Sequence, residues 1–207
     1  MYIVIEGQDA TGKSTQAQLL TEHLRRQGAK VTHYSESGTD SSDKFVTEIA
    51  KLMYVSKQDI DMRTRTLLYL VNRYEQWRKL AEPALSRGET VITTRNWYST
   101  LIYEGYAGQV PESLITKLHH AVMPERYFHP DKIVILTLSD SKRQERLATQ
   151  AQTQNRSTEV FKSKPSSFQK AVNLGYLQIA EKYHVPTLDV SGDINSVQTD
   201  LKQLFGL

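Results

Sequence analysis

Apolar residues are distributed along the chain in two alternating patterns. Short runs rich in β-branched residues predict buried strands, because strands covered on both faces read as nearly continuous apolar runs. Between them, apolar residues recur every three or four positions, which is typical of amphipathic helices. This alternation predicts a parallel sheet with helices on both faces, a three-layer α/β/α domain. The predicted strands cover residues 2–6, 30–34, 90–93, 132–138 and 187–190.

Glycine and proline set the limits of the predicted helices. The first helix follows the first strand and ends near Gly28, and a second covers residues 44–55. A long helical region from about Met62 to Arg87 contains Pro83, which predicts a late kink or break. Gly88 then ends this region, as a glycine commonly does after a helix.

The first apolar run leads directly into a sequence suited to phosphate binding. It matches the pattern G-x-x-x-x-G-K-[ST], in which glycines let backbone N–H groups surround phosphate oxygens at a helix N-terminus. Lys13 can reach the β- and γ-phosphates of ATP, and Ser14 can bind Mg²⁺. The alternative is an ordinary glycine-rich turn. The predicted ATP-binding residues are Gly7, Gln8, Asp9, Ala10, Thr11, Gly12, Lys13, Ser14 and Thr15.

Composition limits the classes of function. The 207 residues suit one domain spanning residues 1–207, and 39% of them are hydrophobic. The net charge of +3 is compatible with phosphate-bearing ligands and too small to indicate nucleic-acid binding. The absence of cysteine excludes thiolate catalysis and cysteine-based zinc sites. With no apolar run of membrane-spanning length and no room for a signal peptide before the first strand, we expect a cytoplasmic protein without membrane partners.

Two later segments carry residues suited to a second ligand. Tyr69 and Arg73 are four residues apart and therefore share one helix face, where a ring can stack on a base while a guanidinium donates to it. Arg95 directly follows a buried strand, at the sheet edge where ligands of parallel sheets bind, and its planar fork suits phosphate. Each feature alone is more typical of a core residue or a solvated surface charge.

Residues 148–167 differ in composition from the rest of the chain. They are rich in Gln, Thr, Ser and Lys and contain almost no apolar residues. The segment is either a disordered surface loop or a mobile lid over a nucleotide, and beside a phosphate loop we favour the lid.

Taken together, these segments resemble the thymidylate kinase family of P-loop nucleoside monophosphate kinases. Residues 6–14 match the family pattern E-G-x-[DE]-x-x-G-K-[ST], and residues 69–73 match F-x-x-N-R with Tyr in place of Phe. Residues 94–104 match D-R-Y-x-x-S-x-x-A-Y-Q in part, and residues 168–176 are similar to the helix after the lid. The resemblance implies the family fold with a five-stranded parallel sheet and a mobile lid.

The resemblance also implies a role for each matching position. Arg95 would hold the acceptor phosphate, and Asp9 would accept the sugar 3′-hydroxyl. Tyr69 would stack on the base and Arg73 would bond a base oxygen. The resemblance assigns the remaining acceptor contacts to Glu36, Ser99, Thr100, Tyr103 and Glu104, with Tyr103 favouring deoxyribose.

Positive charge on the donor side is expected from the lid. Some family members carry an arginine inside the phosphate loop, whereas this chain has Ala10 and Thr11 there. It therefore resembles the class that supplies arginine from the lid. The candidates are Arg143, Arg146, Arg156 and Lys162, of which the first two are favoured. ATP with Mg²⁺ is the expected phosphoryl donor, and the resemblance implies a homodimer.

Three departures from the family pattern concern the acceptor site. Thr94 stands where the family has an Asp near Mg²⁺, so that Glu6, Glu36 or Asp9 would have to supply the charge, or metal binding is weaker. Ser35 replaces an arginine, which leaves the acceptor phosphate one fewer cation. Glu104 replaces a glutamine near the base, and a carboxylate only accepts hydrogen bonds unless it is protonated.

These observations predict an enzyme that phosphorylates dTMP to dTDP with ATP. The divergence is what a phage-type member would show, and such a protein would act in the host cytoplasm. Glu104 leaves open a kinase for another or base-modified deoxynucleoside monophosphate. A non-catalytic nucleotide-binding protein is the third hypothesis, motivated by Thr94 and Ser35.

Overall fold

A parallel sheet forms the centre of the molecule. The computed structural model describes residues 1–54, 59–153 and 165–207. Within these residues five strands pair in the order β2-β3-β1-β4-β5, and every pairing is parallel. The strands are β1 (Tyr2–Gly7), β2 (Val31–Ser35), β3 (Thr90–Thr94), β4 (Lys132–Thr137) and β5 (Thr187–Asp189). The predicted five-stranded α/β sheet is therefore confirmed.

Helices connect the strands and cover both faces of the sheet. The described α-helices are α1 (Lys13–Arg26), α2 (Lys44–Tyr54), α3 (Met62–Gln76), α4 (Glu82–Ser86), α5 (Trp97–Thr100), α6 (Glu112–Val122), α7 (Glu125–Phe128), α8 (Asp140–Thr153), α9 (Ser166–Lys182) and α10 (Ile194–Phe205). Two π-helical segments cover Trp77–Ala81 and Leu101–Tyr106. Within the three described ranges, every helix falls short of the length and apolar character that crossing a membrane requires.

The central strand β1 separates two apolar cores. All six of its residues are buried, and because successive side chains of a strand point to opposite faces, they enter the two cores alternately. Tyr2 and Val4 belong to the core that contains Trp77, whereas Ile3 and Ile5 belong to the other. Burial on both faces fixes β1, and therefore the loop that follows it, relative to all other layers.

The long helical region predicted for 62–87 is interrupted earlier than its proline. The α-helical hydrogen bonding of α3 ends at Gln76, and the π-helical segment Trp77–Ala81 follows. The Glu82 N–H donates to the Trp77 carbonyl, five residues back, and Pro83, which has no N–H, comes next in α4. The predicted break is present, but it begins six residues before Pro83, and the sequence does not signal this start.

Candidate active site

The phosphate loop is held in a shape that only particular residues allow. Gly7, at the end of β1, has φ +140°, and a Cβ there would lie 2.6 Å from the Leu136 carbonyl oxygen. Gly12 has φ +87° and precedes α1, whose first turn receives no side-chain cap from it. The N–H groups of that turn therefore remain directed at the loop, which makes it an anion site.

Lys13 is folded back onto the phosphate loop. Its Nζ donates to the Gln8 carbonyl at 2.7 Å and lies 4.0 Å from Asp9 Oδ1. Burial of the ammonium, followed by the nearby charge of Arg95, lowers the pKa of Lys13 to about 7. A nearby negative charge would raise the pKa of this buried lysine and restore its positive charge. Lys13 is therefore placed to bind an anionic ligand in exchange for the Gln8 carbonyl.

Arg95 connects the phosphate loop to the other side of the site. It follows β3 with φ +74°, an uncommon backbone conformation for a residue with a side chain. Its Nη2 pairs with Asp9, and its Nη1 donates to Ser99 Oγ and to the Tyr176 hydroxyl, both at 3.1 Å. Its guanidinium lies over the Tyr103 ring, 5.3 Å from the centroid. Burial alone would raise the pKa of Asp9, yet neighbouring cations, Arg95 first among them, hold it below its usual value.

Glu6 fixes the segment that presents Arg95. This carboxylate is fully buried and accepts from the Asn96 N–H at 2.7 Å and the Ser99 N–H at 3.3 Å. It also accepts from the Ser99 hydroxyl at 2.9 Å and the Tyr176 hydroxyl at 3.2 Å. Because both of its oxygens accept hydrogen bonds, Glu6 ties the residues after β3 to β1.

A buried ion pair holds Arg73 in place. Arg73 Nε donates to Glu36 Oε2 at 2.7 Å, Tyr127 donates to the same oxygen at 3.0 Å, and Arg73 Nη1 donates to Thr100 Oγ1. Burial raises the pKa of Glu36 to about 7, against the charge of Arg73. Glu36 is directed at Arg73 through Oε2, whereas its Oε1 is buried without a partner among the described residues. Its predicted contact with an acceptor stays a prediction.

Tyr69 lies beside Arg73 and next to a second aromatic ring. The Arg73 guanidinium is 5.5 Å from the Tyr69 centroid, and Tyr54 meets Tyr69 edge to face at 5.9 Å. Arg65 is buried in the same region and donates to the Met53 carbonyl at 2.5 Å. Arg65, Tyr69 and Arg73 are four residues apart along α3, so one helix face carries two cations and a ring.

Glu104 lies in the segment Leu101–Tyr106, near enough to Arg73 and Arg65 to feel their charges. Its side chain is 1% exposed, and its Oε1 has no hydrogen-bond partner among the described residues. Burial raises the pKa of Glu104 to about 8, opposed by the charges of Arg73 and Arg65. π-helical segments often occur at functional sites, and this one lies where two predicted acceptor contacts, Tyr103 and Glu104, occur in sequence.

The two favoured lid cations lie on α8, close to the phosphate loop. Arg146 donates to the Val190 carbonyl at 2.6 Å and to the Ala10 carbonyl at 3.5 Å. Arg143 is 3% exposed and lies 3.5 Å from Asp140. Its Nε has no partner in the described part of the chain.

Only part of the predicted lid can be compared with the structure. Residues 148–153 continue α8 and residues 166–167 begin α9, so the ends of the segment are helical rather than loop. Residues 154–164, which include Arg156 and Lys162, lie outside the described residues. The prediction of a mobile lid therefore stays a prediction.

Comparison with known proteins decides the family. A family model described as thymidylate kinase matches residues 5–201 of the 207. A thymidylate kinase of Chlamydia muridarum is 30% identical over 182 residues, 88% of this chain and 86% of that protein. A second thymidylate kinase, from Chlamydia trachomatis serovar L2, is 32% identical over 182 residues, again 88% of this chain and 86% of that protein. The chain belongs to the thymidylate kinase family.

A solved structure agrees with this membership at the level of the fold. The crystal structure of thymidylate kinase from Ehrlichia chaffeensis has a TM-score of 0.73 and 23% identity, covering all of this chain and 98% of that one. The two proteins therefore share one fold, which includes the parallel sheet described above. The family resemblance and the fold expected from the sequence motifs are confirmed.

The departures from the family pattern take defined places in the structure. Thr94 is buried at the end of β3, where its carbonyl accepts from the Glu36 N–H at 3.2 Å. Ser35, which replaces the arginine, lies 2.9 Å from Ser37 Oγ, and Ser37 in turn lies 3.1 Å from Thr39 Oγ1. A row of three hydroxyl groups thus occupies the segment where the resemblance places a cation.

Sequence reasoning did not predict the supporting roles of several residues of the site. Glu6 and Tyr176 brace Arg95, while Arg65 and Tyr54 lie next to Tyr69. The four-residue spacing of Arg65 before Tyr69 was a usable signal. The hydrogen bond between Tyr176 and Glu6 could not be predicted from the sequence, because 170 positions separate the two residues and only the fold brings them together.

Proposed function

We propose that the protein transfers the γ-phosphoryl group of ATP to dTMP, giving dTDP and ADP. Membership of the thymidylate kinase family supports this reaction, and so do the names of the relatives. The observation that carries the proposal is the ion pair between Asp9 in the phosphate loop and Arg95 after β3. It links a triphosphate site to a second anion site, and phosphorylation of a monophosphate requires two such sites side by side.

On the donor side, the backbone of residues 7–15 would surround the ATP phosphates. Lys13 would leave the Gln8 carbonyl for the β- and γ-phosphates, where its positive charge is stabilised. The left-handed backbone at Gly12 leaves the start of α1 open to the same phosphates.

On the acceptor side, Arg95 would bind the dTMP phosphate with the guanidinium that now holds Asp9. Asp9 would then be free to accept the 3′-hydroxyl of the sugar. Tyr103, which lies under that guanidinium, would contact the sugar where a 2′-hydroxyl would be crowded. Ser99, whose hydroxyl accepts from Arg95, would act on the phosphate by orienting Arg95.

The base would lie between α3 and the helical turns after β3. Tyr69 offers a ring for stacking, and Arg73, fixed by Glu36 and Thr100, offers N–H donors beside it. Because both Arg73 and Arg95 are held by buried partners before substrate arrives, little ordering is needed on binding. Phosphoryl transfer depends mainly on such positioning and on neutralising charge.

Arg143 and Arg146 would neutralise charge on the transferring phosphoryl group. Both lie on α8 near the loop, and the buried Nε of Arg143 is without a partner in the described residues. In the ligand-free structure Arg146 bonds backbone carbonyls, which a phosphate oxygen would replace with a stronger, charge-assisted bond.

Mg²⁺ fits the donor set at the start of α1. Ser14 is exposed there, and the Asp9 carboxylate is 39% exposed beside the loop. One hydroxyl and one carboxylate, together with phosphate oxygens, suit a cation that keeps several waters. The ion would screen the charge of the ATP phosphates. With Thr94 in place of an Asp, Asp9 is the nearby carboxylate that fits this role.

An ADP-release assay tests the proposed reaction. Purified protein with ATP and Mg²⁺ should release ADP when dTMP is added, and Arg95→Met should lower kcat/KM for dTMP by about 100-fold or more. Arg87→Met is the matched control, because Arg87 is an exposed arginine at the end of α4 that pairs with Glu89. Absence of turnover with dTMP, or equal rates for both variants, would contradict the proposal.

We further propose a homodimer formed through α2 and α3. These neighbouring helices expose large apolar side chains at spacings that place them in one stripe on each helix: Phe45 and Leu52 on α2, and Leu67, Val71 and Tyr74 on α3. A second copy of the same stripe is the partner that the family resemblance supports. Light scattering should give the dimer mass, and Val71→Asp should give the monomer mass. Leu177→Asp, at an exposed apolar position on α9, should leave the dimer intact.

A cytoplasmic location, in the host if the gene belongs to a phage, stays a prediction. Fractionation of cells that express the protein from its own gene would test it.

A further inference from the structure

The hydroxyl group of Tyr176 lies where the phosphate loop meets Arg95. Tyr176 is a buried residue of α9. Its oxygen accepts from Arg95 Nη1 at 3.1 Å and lies 2.9 Å from the Gly7 carbonyl oxygen and 3.2 Å from Glu6 Oε2. Gly7 begins the phosphate loop, and Arg95 is the residue proposed to hold the acceptor phosphate. One hydroxyl group therefore contacts both halves of the site.

The hydrogen-bonding capacity of a phenol determines how this hydroxyl is used. It has one proton to donate, and its oxygen can accept at the same time. The Arg95 N–H is donated to the oxygen, so the proton goes to Gly7 or to Glu6. Glu6 already accepts from two backbone N–H groups, and the Gly7 carbonyl is closer. The result is a chain of hydrogen bonds from the guanidinium through the hydroxyl to the backbone of the phosphate loop, in which each bond strengthens the next.

Close packing fixes the place of the Tyr176 ring. α9 lies against the π-helical segment Leu101–Tyr106, and a Cβ on Gly175 would be 3.0 Å from Ile102 Cγ2. The Tyr176 ring meets the Tyr103 ring edge to face, with 6.5 Å between the centroids. The hydroxyl is therefore held at a defined position relative to the helical turns after β3.

The same face of α9 is also attached to α8. Asn173 precedes Tyr176 by three residues, so the two side chains share a helix face. Asn173 donates to Asp140 of α8, and Asp140 lies 3.5 Å from Arg143. Arg143 is the residue proposed to neutralise the transferring phosphoryl group. One side of α9 thus contacts the phosphate loop, the acceptor guanidinium and the helix that carries the third cation.

We propose that Tyr176 is a positioning residue that sets the acceptor phosphate at the correct distance from the ATP phosphates. This inference rests on the proposed function, because it names how the two anion sites of that reaction are aligned. When dTMP binds, Arg95 Nη2 exchanges Asp9 for the phosphate, while Nη1 stays on the Tyr176 hydroxyl. The bond from Tyr176 to the Gly7 carbonyl then fixes the guanidinium relative to the loop that holds ATP.

Such alignment acts on the transfer step more than on the binding of either nucleotide. Without the hydroxyl, ATP keeps the loop backbone and Lys13, and the dTMP phosphate keeps Arg95 Nη2. The reacting atoms, however, must meet in a narrow geometry, and a misplacement of about 1 Å can cost about 100-fold in rate. Loss of the hydroxyl should therefore lower kcat and leave both KM values nearly unchanged.

Tyr176→Phe tests the inference, because it keeps the ring and removes only the hydroxyl. Its kcat should fall about tenfold or more, while the KM values for ATP and dTMP each change by less than about threefold. Tyr183→Phe is the matched control, since Tyr183 follows the last residue of α9 and its hydroxyl donates to Glu112 of α6 at 3.4 Å. This control should keep the wild-type kcat. Equal kcat values for the two variants would overturn the inference and leave the kinase reaction intact.

A double-mutant cycle separates positioning from a general structural role. If Tyr176 acts through Arg95, adding Tyr176→Phe to Arg95→Met should lower kcat by less than about twofold, because the group to be positioned is already absent. A further tenfold loss in that background would show that the hydroxyl acts elsewhere and would overturn the inference. Failure of the wild type to turn over dTMP would instead contradict the proposed function.

The guanidinium NMR signal of Arg95 gives a readout that does not depend on turnover. The Nε–Hε signal that disappears in Arg95→Met identifies this side chain. It should be broadened or shifted in Tyr176→Phe, where the guanidinium loses one of its acceptors, and unchanged in Tyr183→Phe. An Arg95 signal in Tyr176→Phe identical to that of the wild type would exclude the positioning role.

Discussion

Replacing Glu6 with glutamine tests how the acceptor site is held together. The Glu6 carboxylate is fully buried and accepts from backbone N–H groups at residues 7, 96 and 99 and from the hydroxyls of Ser99 and Tyr176. In Glu6→Gln one oxygen becomes an NH₂ group facing two of these donors. Hydrogen bonds to a charged group contribute about 1.5–3 kcal/mol each, so the loss of one or two should cost about 2–5 kcal/mol.

This cost predicts a measurable loss of thermal stability. For a chain of 207 residues, about 1 kcal/mol shifts Tm by roughly 2–4 °C, so Glu6→Gln should lower Tm by about 5–15 °C in calorimetry. It should also lower kcat/KM for dTMP by about tenfold or more, because Ser99 and Tyr176 orient Arg95 and a small misplacement is costly. The KM for ATP should change less.

The control for this substitution is Glu125→Gln on α7. The Glu125 side chain is 79% exposed and pairs only with His129 among the described residues, and exposed pairs of this kind contribute little. Its Tm should stay within about 2 °C of the wild type. If Glu6→Gln were as stable and as active as this control, the assignment of Glu6 as the anchor of Arg95 would be wrong.

Two further predictions concern the phosphate loop. Gly7→Ala should weaken ATP binding by about tenfold or more in a fluorescence titration, because its Cβ would lie 2.6 Å from the Leu136 carbonyl oxygen. Gly28→Ala is the control: Gly28 also has a positive φ, but the space around it is open, so this variant should bind ATP normally. ATP binding at pH 8.5 should take up a proton, since Lys13, with a pKa of about 7 instead of 10.5, is largely neutral before phosphate arrives. Calorimetry in two buffers of different ionisation enthalpy measures this proton uptake, which should be absent in Lys13→Met. Proton uptake that persists in Lys13→Met would refute the assignment of the proton to Lys13.

The fold was predictable because its signals are local. Each strand is a short apolar run and each helix has its own periodicity, so the order of elements follows from windows of a few residues. The π-helical segment at Trp77 was not predictable, because nothing in the sequence before Pro83 marks where the hydrogen bonding changes. Helix boundaries at residues 153 and 166 were also missed, since polar helical turns and polar loops have the same composition.

The site was predictable where its residues follow a motif and hidden where they depend on the fold. Lys13, Asp9 and Arg95 are marked by their places after strands, and the structure brings them together. The hydrogen bond between Tyr176 and Glu6 joins residues from opposite ends of the chain. Glu104 was recognised by its departure from the family pattern, but its burial is a property of packing between helices.

A crystal structure with dTMP and a non-hydrolysable ATP analogue tests the central claim most directly. That claim is a two-nucleotide site joined at Asp9 and Arg95. We expect the dTMP phosphate within hydrogen-bonding distance of Arg95, the 3′-hydroxyl at Asp9, and the base against Tyr69. A complex in which Arg95 keeps its pairing with Asp9 while dTMP binds elsewhere would contradict the account.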